Sequence, residues 1–357
     1  MNEQWKQYLQ NAGAILTHDG TSVEHFGQAE KEQAAIDSAH IIMPITGMTF
    51  IQASGIDAKT FLQGQLTNDI VLINPQSSQL SGYCTPKGRL LALFRITQHG
   101  DGYRLHLPTC LLEKILPRLK MFVMRAKVTL EPAAAETVRI GISGKDAAIK
   151  LSAHVGALPN AIHGVTDENG ITIIQHPVKH QELGSRFELI GNHEKIQSLW
   201  QRLSPDFLPT GSGAWQLLNI NAAQPSVVSE TVEMFIPQML NLHVIDGVSF
   251  KKGCYPGQEV VARLHYRGKL KRHMQIAQFH SEQTPLPGMS LYPLDGGEEA
   301  QSIGNVVQVE QISNHQYRAL CVLSNDFAAN KVACLQRDAK AALKLYGLPY
   351  DLPADSE

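Results

Sequence analysis

The residues best equipped for chemistry lie between Val248 and Arg267, in VSFKKGCYPGQEVVARLHYR. Two lysines, Lys251 and Lys252, precede Gly253 and Cys254, and Pro256 with Gly257 opens a run that can be helical through Arg263. Proline suits a first helical turn because its missing N–H has no intrahelical partner to lose there. A helix so placed sets Cys254 just outside its positive end, with two cationic side chains alongside. Both effects favour thiolate over thiol, and the thiolate is the nucleophilic, oxidisable form. Cys254 is therefore the candidate reactive group, with Lys252 holding the thiolate or an anionic partner. The competing fate is a buried cysteine acting as a small hydrophobe, the common one for a free thiol. Flanking charges and glycines make such a dry site hard to build here. Cys110, Cys321 and Cys334 stand in apolar runs and are expected in the core, while Cys84 precedes the turn TPKGR and could face a cavity.

Other chemistries find little support. The five cysteines form an odd set with no CxxC pair, and the fifteen histidines show no HExxH spacing, so neither a disulfide framework nor a metal site is expected. The formal net charge of −2 gives no bulk pull toward phosphate backbones. A contact with tRNA would have to use the local run Arg263, Arg267, Lys269, Lys271 and Arg272, beside aromatics such as Tyr266; the competing reading is a solvated turn. The start, MNEQWKQYLQ, has no basic run followed by an apolar stretch, and nowhere do about 20 apolar residues run together. The expected location is cytoplasmic, without membrane contact.

The elements that must position these residues are marked by an internal repeat. Residues 51–62 read IQASGIDAKTFL and residues 140–151 read IGISGKDAAIKL. In each, an alternating apolar stretch stops at Ser-Gly, and Asp-Ala opens a stretch of helical spacing. Further on, GYRLHL at 102–107 and SRFELI at 185–190 are strand-like, and each leads into a leucine-spaced helix. Each copy thus approximates a split β-α-β-β-α-β half. From about residue 273 come short apolar runs between turn signals such as PLPG and DGG, the pattern of a small antiparallel barrel. The expected class is α+β. The expected domains are 40–132 with 205–272, then 133–204, then 273–357.

KGCYPGQE followed by VAR and YRG resembles the signature of the YgfZ family of folate-binding proteins, relatives of the glycine-cleavage T-protein. FLQGQLTND at 61–69, AWQLLNI at 214–220, FIPQMLNL at 235–242 and GVSF at 247–250 extend the resemblance over most of the chain. It implies the aminomethyltransferase-like fold, with two ferredoxin-like lobes and a C-terminal antiparallel β-barrel around a folate pocket. It also implies tetrahydrofolate or a one-carbon derivative as cofactor, and a role in iron-sulfur cluster assembly or repair and thereby in tRNA modification, with iron-sulfur proteins or assembly factors as partners.

Carried over residue by residue, Trp215 matches a family tryptophan that lines the folate site. Met48 stands where the family has its front tryptophan, and Asn221 where relatives show an acidic residue. Gln258, Glu259 and Arg263, within the signature, are the remaining candidates for the cofactor or for bracing the loop. Leu91 and Ala92 stand where the T-protein carries an aspartate pair thought to manage protons around the folate nitrogen. A hydrocarbon cannot move a proton, so no glycine-cleavage activity is expected. The resemblance supports an accessory factor that uses Cys254. The alternative is a folate-dependent one-carbon transferase or demethylase with Cys254 as transient nucleophile. One thiol does not hold a cluster alone, since about four cysteine ligands are usual.

Overall fold

Each copy of the repeat folds as a strand that breaks at a glycine and re-enters as a helix. Gly55 and Gly144 have φ of 111° and 147°. A Cβ at Gly55 would stand 2.2 Å from the Lys127 carbonyl oxygen, and one at Gly144 would stand 2.9 Å from the Cα of His40. Positive φ and a close neighbouring backbone both demand glycine there. Asp57 and Asp146 then sit immediately before the two helices, and the Asp57 carboxylate accepts the Lys127 N–H at 2.7 Å.

The computed structural model describes residues 1–297, 299–330, 332–338 and 341–353. The chain opens with α1 (Glu3–Asn11), the hairpin β1 (Ile15–Leu16) and β2 (Val23–His25), α2 (Ala29–Ala35) and β3 (Ile41–Pro44). The first copy of the repeat is β4 (Met48–Ser54), α3 (Ala58–Gln63), β5 (Ser78–Cys84), β6 (Leu90–His99), β7 (Gly102–Pro108), α4 (Leu112–Met121) and β8 (Thr129–Pro132). The second is β9 (Thr137–Gly144), α5 (Ala147–Val155), β10 (Val165–Glu168), β11 (Ile171–His176), β12 (Ser185–Asn192) and α6 (His193–Leu203), followed by β13 (Leu208–Pro209) and α7 (Gly213–Asn221). After α8 (Gln258–Arg267) come β14 (Arg272–His280), β15 (Ser290–Pro293), β16 (Gly304–Ser313), β17 (Gln316–Ser324), α9 (Asn325–Asn330), β18 (Ala333–Leu335) and β19 (Lys344–Tyr346). Among the described residues no helix is long and apolar enough to cross a membrane.

Contacts divide the chain into two compact units, residues 1–49, 74–78 and 132–222 in one, residues 50–73, 79–131 and 223–357 in the other. The first unit holds a six-stranded sheet in the order β10-β11-β12-β9-β3-β13. Ile140 pairs with Leu189 and Ile142 with Phe187 across β9 and β12. Because side chains alternate, these four face the same side, where they join Leu151 of α5 and Ile196, Leu199 and Trp200 of α6 in one core. Trp5 of α1 meets Trp200 edge to face, with ring centroids 5.8 Å apart. Between β9 and the edge strand β13 lies β3, which comes from ahead of both copies of the repeat.

The second unit contains two sheets. One has the order β5-β6-β7-β4-β8, which, leaving out the edge strand β5, is the ferredoxin-like arrangement for the first copy. The other, β18-β15-β16-β17-β14-β19, is antiparallel and curls as a half-barrel. Irregular register in β16, between Val306 and Gln308 and again between Gln311 and Ser313, supplies the bends that curling needs. Phe279, Leu291, Val306, Ala319, Cys321 and Leu323 fill its inner side. The α+β class and the half-barrel agree with the sequence pattern.

Gly55→Ala and Gly144→Ala are each expected to cost well over 1 kcal/mol in urea unfolding, since the added methyl group meets backbone at a strained φ; a neutral result at either would show that the turn rearranges freely. Burial, with His273 and His265 nearby, pushes His243 down to about 4. Between pH 6.5 and about 4 the unfolded chain therefore binds a proton that the folded chain refuses, so stability is full above this window and falls as pH falls through it. His243→Gln should flatten that arm of a stability–pH curve, and an unchanged arm would assign acid lability elsewhere.

Candidate functional site

The loop that carries Cys254 is held from two sides. On one side is FLQGQLTND. The last carbonyls of a helix have no intrahelical partner, and that of Gln63, which ends α3, meets the ammonium of Lys252 together with two carbonyls from the stretch just beyond. Lys252 Nζ donates to the carbonyl oxygens of Gln63 at 2.6 Å, Leu66 at 2.5 Å and Asn68 at 3.0 Å, which uses all three donors an ammonium has. It also lies 5.3 Å from the centre of the Tyr255 ring. Burial pushes Lys252 down to about 8, against the pull of Asp69 in the opposite direction. Thr67 Oγ1 donates to Gly247 at 2.7 Å, and Asn68 Nδ2 donates to Asp246 at 2.6 Å and Leu80 at 2.9 Å. The front motif is thus a cradle for the approach to Cys254.

On the other side is the turn TPKGR, between β5 and β6. Gly257 has φ of 84°, and a Cβ there would lie 2.5 Å from the Thr85 oxygen and 2.7 Å from the Cα of Gly88. Only glycine lets the start of α8 press on that turn. Gln238, from FIPQMLNL, donates Nε2 to the Val261 carbonyl at 2.6 Å, and Asn241 donates Nδ2 to Met274 at 3.0 Å. The same motif therefore braces both α8 and the first strand of the half-barrel.

Between these anchors Cys254 is exposed. Of the two lysines expected beside it, Lys251 is exposed and Lys252 is turned inward onto the carbonyls. The helix begins later than the Pro-Gly signal suggests, at Gln258, with Gly257 as its cap in the left-handed region, so the buried Tyr255 and then Pro256 separate the thiol from the helical start. Gln258 Nε2 reaches the Gly253 carbonyl at 3.5 Å, a long contact across the loop. Glu259 and Arg263 are exposed on successive turns of α8. The other thiols separate clearly. Cys84, Cys321 and Cys334 are buried, and burial pushes Cys84 up to about 12. Cys110 corrects the expectation of a core position: it is exposed, because Leu111 takes the core side of the short turn that both share.

The remaining predicted residues belong to the first unit or its end. Met48 is half-buried as the first residue of β4. Trp215 is only 4% exposed. Arg186 stands over its ring at 4.7 Å, and the edge of His176 approaches at 5.0 Å. The indole lies so close to the sheet that a Cβ on Gly141 would come within 2.5 Å of it. The Trp215 ring therefore lies covered by the Arg186 guanidinium. Asn221 is 3% exposed and donates Nδ2 to Asp37 at 3.2 Å. A pocket of about 160 Å³ opens here, with Asp37, Lys145, Lys179, Glu182, Arg186 and Asn221 in its wall.

Sequence reasoning missed Asp37 and Arg186. Asp37 is a lone acid in the mixed stretch AAIDSAH and carries no signal of its own. Arg186 did carry one: in SRFELI the apolar Phe187 and Leu189 alternate with Arg186 and Glu188, which places two charges on the sheet face opposite the core. That face holds a buried network in which Glu188 accepts Arg139 at 2.6 Å and meets His176 at 3.0 Å. Leu91 and Ala92 are buried in β6.

No family model matches the chain. It is 31% identical over 314 residues to the tRNA-modifying protein YgfZ of Yersinia pestis (strain Pestoides F), covering 88% of this chain and 93% of that one. It is 32% identical over 300 residues to the protein of the same name from Pectobacterium carotovorum subsp. carotovorum (strain PC1), covering 84% and 88%. Among solved structures it is similar to the glycine cleavage system aminomethyltransferase T from Bartonella henselae, with a TM-score of 0.77, 16% identity and 96% of both chains covered, which shows the aminomethyltransferase fold. With an exposed cysteine gripped by the same motifs that suggested the relationship, and identity sustained over nearly the whole length of the relatives, the chain belongs to the YgfZ family.

Proposed function

We propose that this protein binds tetrahydrofolate or a one-carbon derivative and supports tRNA modification by sustaining iron-sulfur cluster assembly or repair in the cytoplasm, with Cys254 as its working group. The observation that carries the reading is the presentation of Cys254: an exposed thiol on a loop fixed by the Lys252 clamp and by the Gly257 contact. A fold that spends three charge-assisted hydrogen bonds to hold the residues around one exposed cysteine favours chemistry at that sulfur over packing. The thiol supplies one ligand or one nucleophile, so any cluster it meets takes its other ligands from a partner. The name of the curated relatives supports the link to tRNA.

The residues of the first unit fit a pterin. The pocket beside Asn221 combines apolar walls with a few charged side chains and has about the size of a bicyclic head, with a tail reaching outward. A pterin offers an amino group and a ring N–H side by side, and a carboxylate is their natural acceptor. Asn221 cannot fill that role, but the hydrogen bond its side-chain amide donates to Asp37 brings a carboxylate to the same place. Asp37 would accept from the pterin edge, Asn221 would orient Asp37, Trp215 would hold Arg186 toward the pocket, and Lys145 and Lys179 would favour an anionic tail. When bound, tetrahydrofolate supplies a carrier of one-carbon units.

In cells lacking the native protein, Cys254→Ala and Cys254→Ser are expected to abolish restoration of tRNA thiolation, read by mass spectrometry of digested tRNA; full restoration by either would remove the thiol from the function. Calorimetric titration with tetrahydrofolate is expected to show saturable binding, weakened about 10- to 100-fold by Asp37→Asn, the loss of charge-assisted hydrogen bonding. Equal affinity of the variant would exclude Asp37 as the acceptor, and absence of binding by the unaltered protein would exclude folate.

A further inference from the structure

The signature helix continues past Cys254 into a surface that the proposed function leaves unused. Val261 is the one residue of α8 that is buried, so the helix contributes little to the core. What it shows instead is chemically uniform. Arg263, His265, Tyr266 and Arg267 are exposed, as are Lys269 and Lys271 just beyond and Lys251 before it. From 250 to 272 there are seven Lys and Arg, of which only Lys252 is withdrawn into its clamp, against the single acid Glu259, in a chain whose net charge is −2. Positive charge is concentrated here out of proportion to the rest.

Three of the rings here are also arranged, with His265 and Tyr266 exposed and Phe250 half-buried. His265 lies flush on Phe250, with ring centroids 3.7 Å apart and planes 9° from parallel. Tyr266 stands edge-on to both, at 4.8 Å from His265 and 6.2 Å from Phe250. Tyr266 is 66% exposed. Arg263 neighbours both Tyr266 and Arg267 at i+3 and i+4, so the tyrosine and two arginines emerge on the same part of the helix surface.

Cations alone would suit any acidic partner. Exposed rings set among cations suit a chain that carries both phosphates and flat bases, and rings can stack only on bases that are already unpaired. We propose that this face of α8 binds a single-stranded segment of RNA, with Tyr266 stacking on a base, the His265–Phe250 pair forming a second platform, and Arg263, Arg267 and Lys269 meeting phosphates. The inference rests on the tRNA-modification reading and deepens it: the protein would touch its RNA directly, through the same loop and helix that present Cys254.

The test is fluorescence anisotropy of the full chain with a labelled 12-nucleotide oligouridylate and with an in vitro transcribed tRNA, at 50 mM and 200 mM salt. Binding of both is expected, weaker at the higher salt. Tyr266→Ala should reduce affinity about 5- to 150-fold, the effect of losing one stacked base. Arg263→Gln and Arg267→Gln should each weaken binding and lower the slope of log affinity against log salt by about 0.7. Circular dichroism and thermal unfolding, expected to match the unaltered protein, exclude misfolding. No binding to either RNA, wild-type affinity in all three variants, or equally tight binding of polyglutamate would each overturn the proposal. Absence of RNA binding while thiolation still requires Cys254 overturns this contact alone. RNA binding that persists while thiolation proves independent of the thiol overturns the earlier reading alone.

Discussion

The arrangement around Cys254 depends on one buried ammonium. Withdrawing a lysine from water is costly unless every donor finds an acceptor, and Lys252 finds three, all of them main-chain carbonyls from one short stretch, Gln63 to Asn68. Hydrogen bonds with a charged member contribute about 1.5–3 kcal/mol each, which offsets part of the lost hydration, while burial still pushes Lys252 down to about 8. Because the acceptors are backbone atoms, the clamp fixes where the main chain runs at both of its ends. The neighbouring side chain at position 254 can then point into solvent without the loop collapsing over it. Gly257 plays the complementary part, admitting a contact with the β5–β6 turn that any side chain would forbid.

The first unit solves a different problem with the same economy. One side of its sheet is hydrocarbon, and the other carries Arg139, Arg186 and Glu188 with His176 among them. Buried charges of this kind are tolerated when paired, and removing one member leaves its partner stranded. Trp215 completes the arrangement by lying against Gly141 on the sheet and under Arg186. Its large area therefore serves to orient a cation beside the pocket as much as to exclude water.

Much of this could be read from residue order, and the limits have physical causes. The repeat was legible because glycine at positive φ leaves a local mark, as do alternating and helical spacing: both helices begin at the expected Ala58 and Ala147. The exposure of Cys254 followed from charged and glycine neighbours. The inward turn of Lys252 did not, because adjacent lysines look alike until the distant carbonyls that select one of them are in place. The same holds for Asp37 and Asn221, which are 184 positions apart and meet only in the folded unit. The start of α8 was misjudged by two residues because Pro-Gly is compatible both with a helical first turn and with the left-handed cap that Gly257 adopts. Cys110 was misjudged because an apolar neighbourhood in sequence does not say which side of a tight turn each residue faces.

The placement of β3 has a further bearing on how the molecule is made. Its partner β9 is synthesised roughly 100 residues later, which at ordinary translation rates is about 5–20 s. The clamp that joins Lys252 to the Gln63–Asn68 stretch closes later still. Neither unit can be completed while the other is only begun, so the nascent polypeptide emerges with apolar strands that have nothing yet to pair with. Those early segments have to be kept from sticking to one another on the ribosome, a burden that a domain with contiguous boundaries would not carry.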